Sequence, residues 1–297
     1  MKLYAPAKIN LSLKVLGKRE DGYHAIRTVM APLSLADELT LEPGGEGLEF
    51  ECSDPSVPQD DSNLVVKAAK LFLQTAGQSG WKNPGVRLSL VKKIPHGAGL
   101  GGGSSDAATT LLGLNALLAE TGPALPPETL QALAAQIGSD VPFFLCRGPA
   151  ICTGRGEEVE PLAAGAFPAD LPLLLVKPQF GIPTPWAYSR WKESREIPGL
   201  DYAPQRLPWG DFGELVNDLE RPVFEKYLFL ATLREWLREQ PESLGGLMSG
   251  SGATCFAVLR DAASGPRLEE RVKAEFGPVW TALCRANPAP GVPPNEE

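Results

Sequence analysis

The chain has 297 residues and a formal net charge of −8. That length buries a substantial core and suits two domains, while an acidic balance without any long run of lysine or arginine argues against nucleic acid binding by bulk electrostatics. The cysteines (Cys52, Cys146, Cys152, Cys255, Cys284) are scattered without C-x-x-C spacing and read as thiols of a reducing compartment. The longest apolar run, around 171–176, is far too short to span a bilayer, so a soluble, cytoplasmic protein is expected.

From Ala5 to Val15 the residues alternate. Ala5, Ala7, Ile9, Leu11, Leu13 and Val15 share one face of a predicted strand, and Lys8, Asn10, Ser12 and Lys14 the other. Lys8 and Asn10 therefore point the same way, one pleat apart; a solvated sheet face is the ordinary reading of such a row. Asp21-Gly22 marks a turn before Tyr23-His24. Residues 44–61 are rich in glycine, proline and acid, and read as loops around a short strand. A helix is predicted from about Asn63 to Gln74, capped by Asp61 or Ser62, with Leu64, Ala68, Leu71 and Phe72 inward. Val86, Leu88 and Leu90 alternate with polar residues in another predicted strand, which ends at Lys92-Lys93.

The next segment, Pro95-His96-Gly97-Ala98-Gly99-Leu100-Gly101-Gly102-Gly103-Ser104-Ser105-Asp106, runs straight into the apolar helical stretch AATTLLGLNALLAE. Glycine lets backbone N–H groups approach a ligand closely, and a helix N-terminus adds unpaired donors and partial positive charge. Together they suit a polyphosphate. The dinucleotide pattern G-x-G-x-x-G is met only formally, and a lone match of that kind is weak. No lysine follows the last glycine, so the P-loop pattern fails.

An amphipathic helix is predicted from Glu128 to Ile137, with Leu130, Leu133, Ala134 and Ile137 inward, stopping at Gly138. Asp140 then precedes Val141-Pro142, where an aspartate ordinarily serves as an N-cap. Residues 148–155 read as a domain boundary. Beyond it, Leu171–Val176 and Thr254–Leu259 read as buried strands, and helices are predicted near 211–217, 229–239 and 267–276. Gly250-Ser251-Gly252-Ala253 reads as a turn before the last of these strands. The tail from 285 to 297 is rich in proline and reads as disordered.

Three segments, APAKINLSLKVLGKREDGYH, the glycine loop and LMSGSGATCFAVL, resemble in this order the GHMP kinase superfamily. The resemblance runs from about Ala5 to Leu259. It implies an α+β protein of two domains: an N-terminal domain, 1–152, like the ribosomal protein S5 domain 2 fold, and a ferredoxin-like C-terminal domain, 153–284. It implies an ATP-dependent small-molecule kinase with Lys8 and Asp140 as catalytic residues. ATP would be held by Lys93, Pro95, His96, Gly97, Ala98, Gly99, Leu100, Gly101, Gly102, Gly103, Ser104 and Ser105, with Asn63 near the adenine. Mg²⁺ would arrive with ATP, on its phosphate oxygens and Ser105. Within the superfamily the D-G-Y-H segment is similar to one that binds the cytosine of a cytidyl diphosphate substrate. Tyr23 would then stack on the base, His24 read its edge, and Tyr188, with Trp186 as a rival, form the second wall. Asn10, Thr184, Gly250, Ser251 and Gly252 would complete the substrate site. Two other readings stay open: another small-molecule kinase of the superfamily, and a nucleotide-binding module without catalysis, which would tolerate loss of Lys8 and Asp140.

Overall fold

The alternation at the N-terminus becomes strand β1 (Lys2–Lys18), and a strand of similar length, β2 (His24–Pro43), follows the turn at Gly22. In the computed structural model, which describes residues 1–82 and 84–289, both strands contribute to two compact units. One unit comprises Met1–Ala7, Ala36–His96 and Gly101–Arg147; the other comprises Lys8–Leu35, Gly97–Leu100 and the chain from Gly148 onward.

The first unit continues with β3 (Leu48–Cys52), α1 (Leu64–Gln78), β4 (Val86–Val91), α2 (Gly102–Ala119) and α3 (Pro127–Ile137). β4 pairs parallel with β3 and antiparallel with the second half of β2, so Leu88 faces Leu41 and Leu90 faces Leu39 across the ladder. The alternating Val86, Leu88 and Leu90 are buried, as the period-2 pattern predicts. α2 is buried on nearly all sides from Ser105 to Leu111, in keeping with a helix apolar all round. It crosses the strands at Gly113, where a Cβ would come within 2.6 Å of Leu3 Cδ1 and 3.1 Å of Leu41 Cδ1. α1 differs from expectation at its start. Its N-cap is Asn63, not Asp61 or Ser62, and Leu64 and Leu71 are only half-buried, because Val65, Val66, Ala69 and Ala76 join Ala68 and Phe72 inside. In α3, Leu130, Leu133 and Ala134 are buried while Ile137 is half-exposed at the helix end.

The second unit adds β5 (Ala150–Thr153), β6 (Glu158–Pro161), β7 (Leu171–Lys177), α4 (Thr184–Arg190), β8 (Gln205–Arg206), β9 (Glu214–Asn217), α5 (Glu220–Lys226), α6 (Leu228–Glu239), β10 (Ser243–Met248), β11 (Cys255–Leu259), α7 (Gly265–Phe276) and β12 (Trp280–Ala286). Its strand order is β10-β11-β7-β12-β2-β1-β9-β8, with β5 also on β2 and β6 beyond it. β9 runs parallel to β1, with Ser12 opposite Val216 and Leu13 opposite Asn217. β7 and β11 carry nearly continuous apolar runs, covered by Val223, Phe224, Leu230, Leu233, Leu268 and Val272 of the helices.

Three expectations fail here. The segment 211–217 is not a helix: a 3₁₀ turn at Gly210–Phe212 leads into β9, where pairing with β1 outweighs local propensity. The ordinary reading of the polar row of β1, a solvated face, fails for Lys8, Asn10 and Ser12, which are as buried as the apolar row. It holds only for Lys14, whose half-exposed side chain pairs with Glu214. The tail begins ordered, with Arg285 and Ala286 in β12 and the N–H of Asn287 donating to Pro32 O; residues 290–297 lie outside the described part. Among the described residues no helix is long and apolar enough to cross a membrane.

Candidate active site

In the second unit, β1 delivers Lys8 and Asn10 side by side. The Lys8 ammonium donates to Asn10 Oδ1 at 2.6 Å and to the carbonyl of Gly99 at 3.1 Å, and the Lys8 N–H donates to Leu100 O at 2.9 Å. Asn10 Nδ2 donates to Thr28 Oγ1 at 2.8 Å, and the Thr28 hydroxyl donates to Ser12 O at 2.6 Å. Each polar atom in this chain has a defined role, so the amide cannot turn without losing bonds.

Two glycine turns close on the pair. Ser249 Oγ donates to Gly99 O at 3.0 Å, and the N–H of Thr254 donates to Ala98 O at 3.2 Å. Gly99 has φ +73°, and a Cβ there would lie 2.4 Å from Ser249 O, so only glycine fits. Gly250, at φ +57°, passes so near the cluster that a Cβ would sit 3.2 Å from Asn10 Oδ1 and 3.4 Å from Lys8 Nζ. The hydroxyls of Thr184 and Ser251 share a hydrogen bond of 2.7 Å.

The aromatic residues of the same unit form a second group. The His24 ring stacks on Tyr188, with centroids 5.3 Å apart, and meets Trp191 edge-on. Burial lowers the His24 pKa, helped by the charge of Lys18, so the neutral imidazole is favoured. Tyr23 is more than half exposed, and the Arg155 guanidinium lies over its ring, 4.8 Å from the centroid. Trp186 turns elsewhere, edge-on to Tyr227 and under Lys226.

The first unit holds the helix end of the glycine loop. Gly101, at φ +71°, occupies the N-cap of α2 and offers no side-chain cap, and α2 starts at Gly102, earlier than the apolar stretch suggests. Gly103 is exposed and Ser104 half-exposed, so the first turn of α2 is open at its N-terminus, the kind of end that favours an anion. Beneath it lies a buried ion cluster. Lys92 Nζ bonds Asp37 and, at 2.7 Å, Asp106, while Asp37 Oδ1 accepts from Ile94 N at 2.8 Å and from Lys93 N. Burial lowers the Lys92 pKa, but the carboxylates of Asp106 and Asp37 outweigh it and hold the lysine above its usual range. Burial pushes the Asp106 carboxyl up, against the pull of Lys92. Ser105 Oγ and Asp106 Oδ1 are buried without a hydrogen-bond partner.

Three other expected residues belong to this unit. Asn63 spends both ends of its amide on the chain, Oδ1 accepting from Val65 N and Nδ2 donating to Pro58 O. Lys93 extends to Glu38 at 2.5 Å. Asp140 is half-buried in the turn before a 3₁₀ helix, Pro142–Leu145, whose N-cap is Val141; Asp140 is not that cap.

The family model for the GHMP kinases N terminal domain matches residues 63–148, and that for the GHMP kinases C terminal matches residues 205–278. A 4-diphosphocytidyl-2-C-methyl-D-erythritol kinase of Methylacidiphilum infernorum is 45% identical over 288 residues, 94% of this chain and 94% of that protein. The chain belongs to the 4-diphosphocytidyl-2-C-methyl-D-erythritol kinase family of GHMP kinases. The namesake enzyme of Chloroherpeton thalassium is 42% identical over 86% of this chain and 88% of its own. A crystal structure of 4-(cytidine 5'-diphospho)-2C-methyl-D-erythritol kinase superposes with a TM-score of 0.75 at 38% identity, covering 96% of this chain and 99% of that one. A homoserine kinase from Cytophaga hutchinsonii, at 19% identity and a TM-score of 0.64 over 96% and 94% of the two chains, shares the fold. This chain is therefore a small-molecule kinase with the α+β, two-domain GHMP architecture, and its phosphate donor is ATP.

For a kinase of this family, the second unit gathers Lys8, Asn10, Ala98, Gly99, Leu100 and Gly250 into one cluster, and sets His24 against Tyr188. Tyr188 stacks on the His24 ring, while Tyr23 is exposed under the Arg155 guanidinium. Sequence reasoning missed Asp37, Thr28, Arg155 and Ser249. Ser249 stands beside a recognised glycine turn and was legible there; the others carry no local pattern.

Proposed function

We propose that this chain transfers the γ-phosphoryl group of ATP to the 2-hydroxyl of 4-diphosphocytidyl-2-C-methyl-D-erythritol, in the cytoplasmic methylerythritol phosphate route to isoprenoids. The observation that carries the reading is the buried Lys8–Asn10 pair pinned between the Gly99 and Gly250 turns. Phosphoryl transfer asks for positioning and charge stabilisation more than for covalent chemistry. A lysine held by an amide and a carbonyl is such a fixed charge.

In this reading Asp140 accepts the proton of the attacking hydroxyl, and Lys8 offsets negative charge on the transferring phosphoryl. The N–H groups of Gly102, Gly103 and Ser104 bind the donor phosphates at the α2 terminus, with Pro95, His96 and Gly97 along the loop and Lys93 and Asn63 toward the adenine. Tyr23, His24 and Tyr188 bind the cytosine, and Thr184, Ser251 and Gly252 line the polyol. Mg²⁺ fits this chain as part of Mg·ATP: the buried, unpartnered Ser105 Oγ and Asp106 Oδ1 are hard oxygen donors at the phosphate end. When bound, the cation neutralises phosphate charge.

An ADP-release assay on a panel of the cytidyl substrate, mevalonate, homoserine and galactose tests the reading. Turnover confined to the cytidyl substrate is expected. Preference for any other acceptor overturns it.

A further inference from the structure

The four residues Asn217-Asp218-Leu219-Glu220 join the end of β9 to the start of α5, and three of them reach out of their own segment. Asn217 is 4% exposed, and its carboxamide is fully spent: Nδ2 donates to Met248 O and to Gly250 O, each at 2.7 Å, while Oδ1 accepts from Leu219 N at 2.9 Å. Glu220 Oε1 accepts from Met248 N at 2.9 Å. Asp218 takes the opposite direction, accepting from Val15 N at 2.7 Å and donating its own N–H to Leu13 O. The segment thus grips β1, which carries Lys8 and Asn10, with one residue, and the Gly250 turn with the two around it.

We propose that Asn217 is a positioning residue for phosphoryl transfer, setting the Gly250 turn at its distance from Lys8 and Asn10. The proposal rests on the kinase reading above for its kinetic consequence. Of the two ends of a carboxamide only the NH₂ can serve two carbonyls, so the assignment of Oδ1 and Nδ2 follows from the partners. A Cβ added at Gly250 would lie 3.2 Å from Asn10 Oδ1 and 3.4 Å from Lys8 Nζ, so moving the turn by about 1 Å changes what the Lys8–Asn10 pair meets there. A displacement of that size is enough to cost about a hundredfold in rate. Other bonds tie the flanks of the turn, Ser249 Oγ accepting from Asn10 N at 3.3 Å and donating to Gly99 O, and Ser251 sharing a bond with Thr184, but Asn217 is what holds the carbonyl of Gly250 itself.

Asn217→Asp, nearly isosteric, replaces the double donor by an acceptor facing two carbonyls. In the full chain we expect kcat for the cytidyl substrate to fall about a hundredfold and its KM to rise, with the KM of ATP within about threefold of wild type. Hydrogen exchange should quicken over residues 248–254 while α6 and β7 keep their protection. Asn217→Ser retains one donor and should recover part of kcat; it also serves if the aspartate variant fails to fold. Loss of activity only in proportion to loss of folded protein, or an equal rise of both KM values, overturns the proposal. Unchanged exchange at 248–254 overturns it whatever the substrate proves to be, so its failure is distinguishable from failure of the kinase assignment.

Discussion

The imidazole of His24 lies over the ring of Tyr188 at 5.3 Å between centroids, 29° from coplanar. One face of Tyr188 is thereby covered by a histidine that burial keeps biased towards the neutral form. Tyr188→Ala should raise the KM of the cytidyl substrate about tenfold to a hundredfold, the scale of 1–3 kcal/mol per base stacked on an aromatic ring. It should also let the His24 pKa rise towards 6.5, since the ring that shields it is gone. NMR titration of His24 checks the second effect; an unmoved pKa would show that Tyr188 is not the source of its burial. On the proposed reading, in which the neutral imidazole meets the base, the KM should climb as pH falls through the His24 pKa.

Asp140 is not the N-cap of the turn that follows it, and asparagine is nearly isosteric with aspartate, so the variant keeps the shape of the side chain. Asp140→Asn should leave the melting temperature nearly unchanged while kcat falls by roughly two to four orders of magnitude, the scale of general acid–base groups. Near-wild-type turnover would remove the proton-accepting role.

The glycines at the start of α2 separate strain from ligand contact. Gly101 holds φ +71°, so Gly101→Ala should destabilise the fold as well as weaken ATP binding. Gly103 has ordinary helical geometry, and a Cβ there meets nothing closer than Leu64 Cδ1 at 3.8 Å. Gly103→Ala should therefore fold normally and still bind ATP more weakly, as calorimetry would show. Unchanged affinity would place the phosphates elsewhere.

Lys92 pairs with two buried acidic side chains, Asp37 and Asp106, the latter pushed up by burial to about 7. Lys92→Met should cost about 3–5 kcal/mol, the scale for stranding a buried charge by removing its partner. Urea denaturation measures it, and a loss below about 1 kcal/mol, typical of exposed pairs, would mean that the cluster is solvated.

Glu220 is buried beside Arg234, and burial pushes its carboxyl from 4.5 up to about 7. The native state then holds a proton that the unfolded chain releases between those values, so this group makes stability fall as pH rises from about 4.5 to about 7. Glu220→Gln keeps an acceptor for Met248 N and cannot ionise. Its stability should change less across that window than wild type, and a variant with the same slope would assign the titration to another group.

The alternation of Ala5 to Val15, the freedom of the loop glycines and the apolar face of α3 were legible in the sequence because each is local, repeating every few residues along one element. What those elements meet was not. The burial of Lys8 and Asn10 depends on turns far along the chain, Gly99 lying 91 residues from Lys8. Lys92 reads as a surface lysine until Asp37, 55 residues away, is brought beside it. Asn217 shows why: its donors are satisfied 31 and 33 residues on, by carbonyls that every residue possesses. A backbone acceptor carries no side-chain signature, so only the folded chain decides which ones an amide will hold.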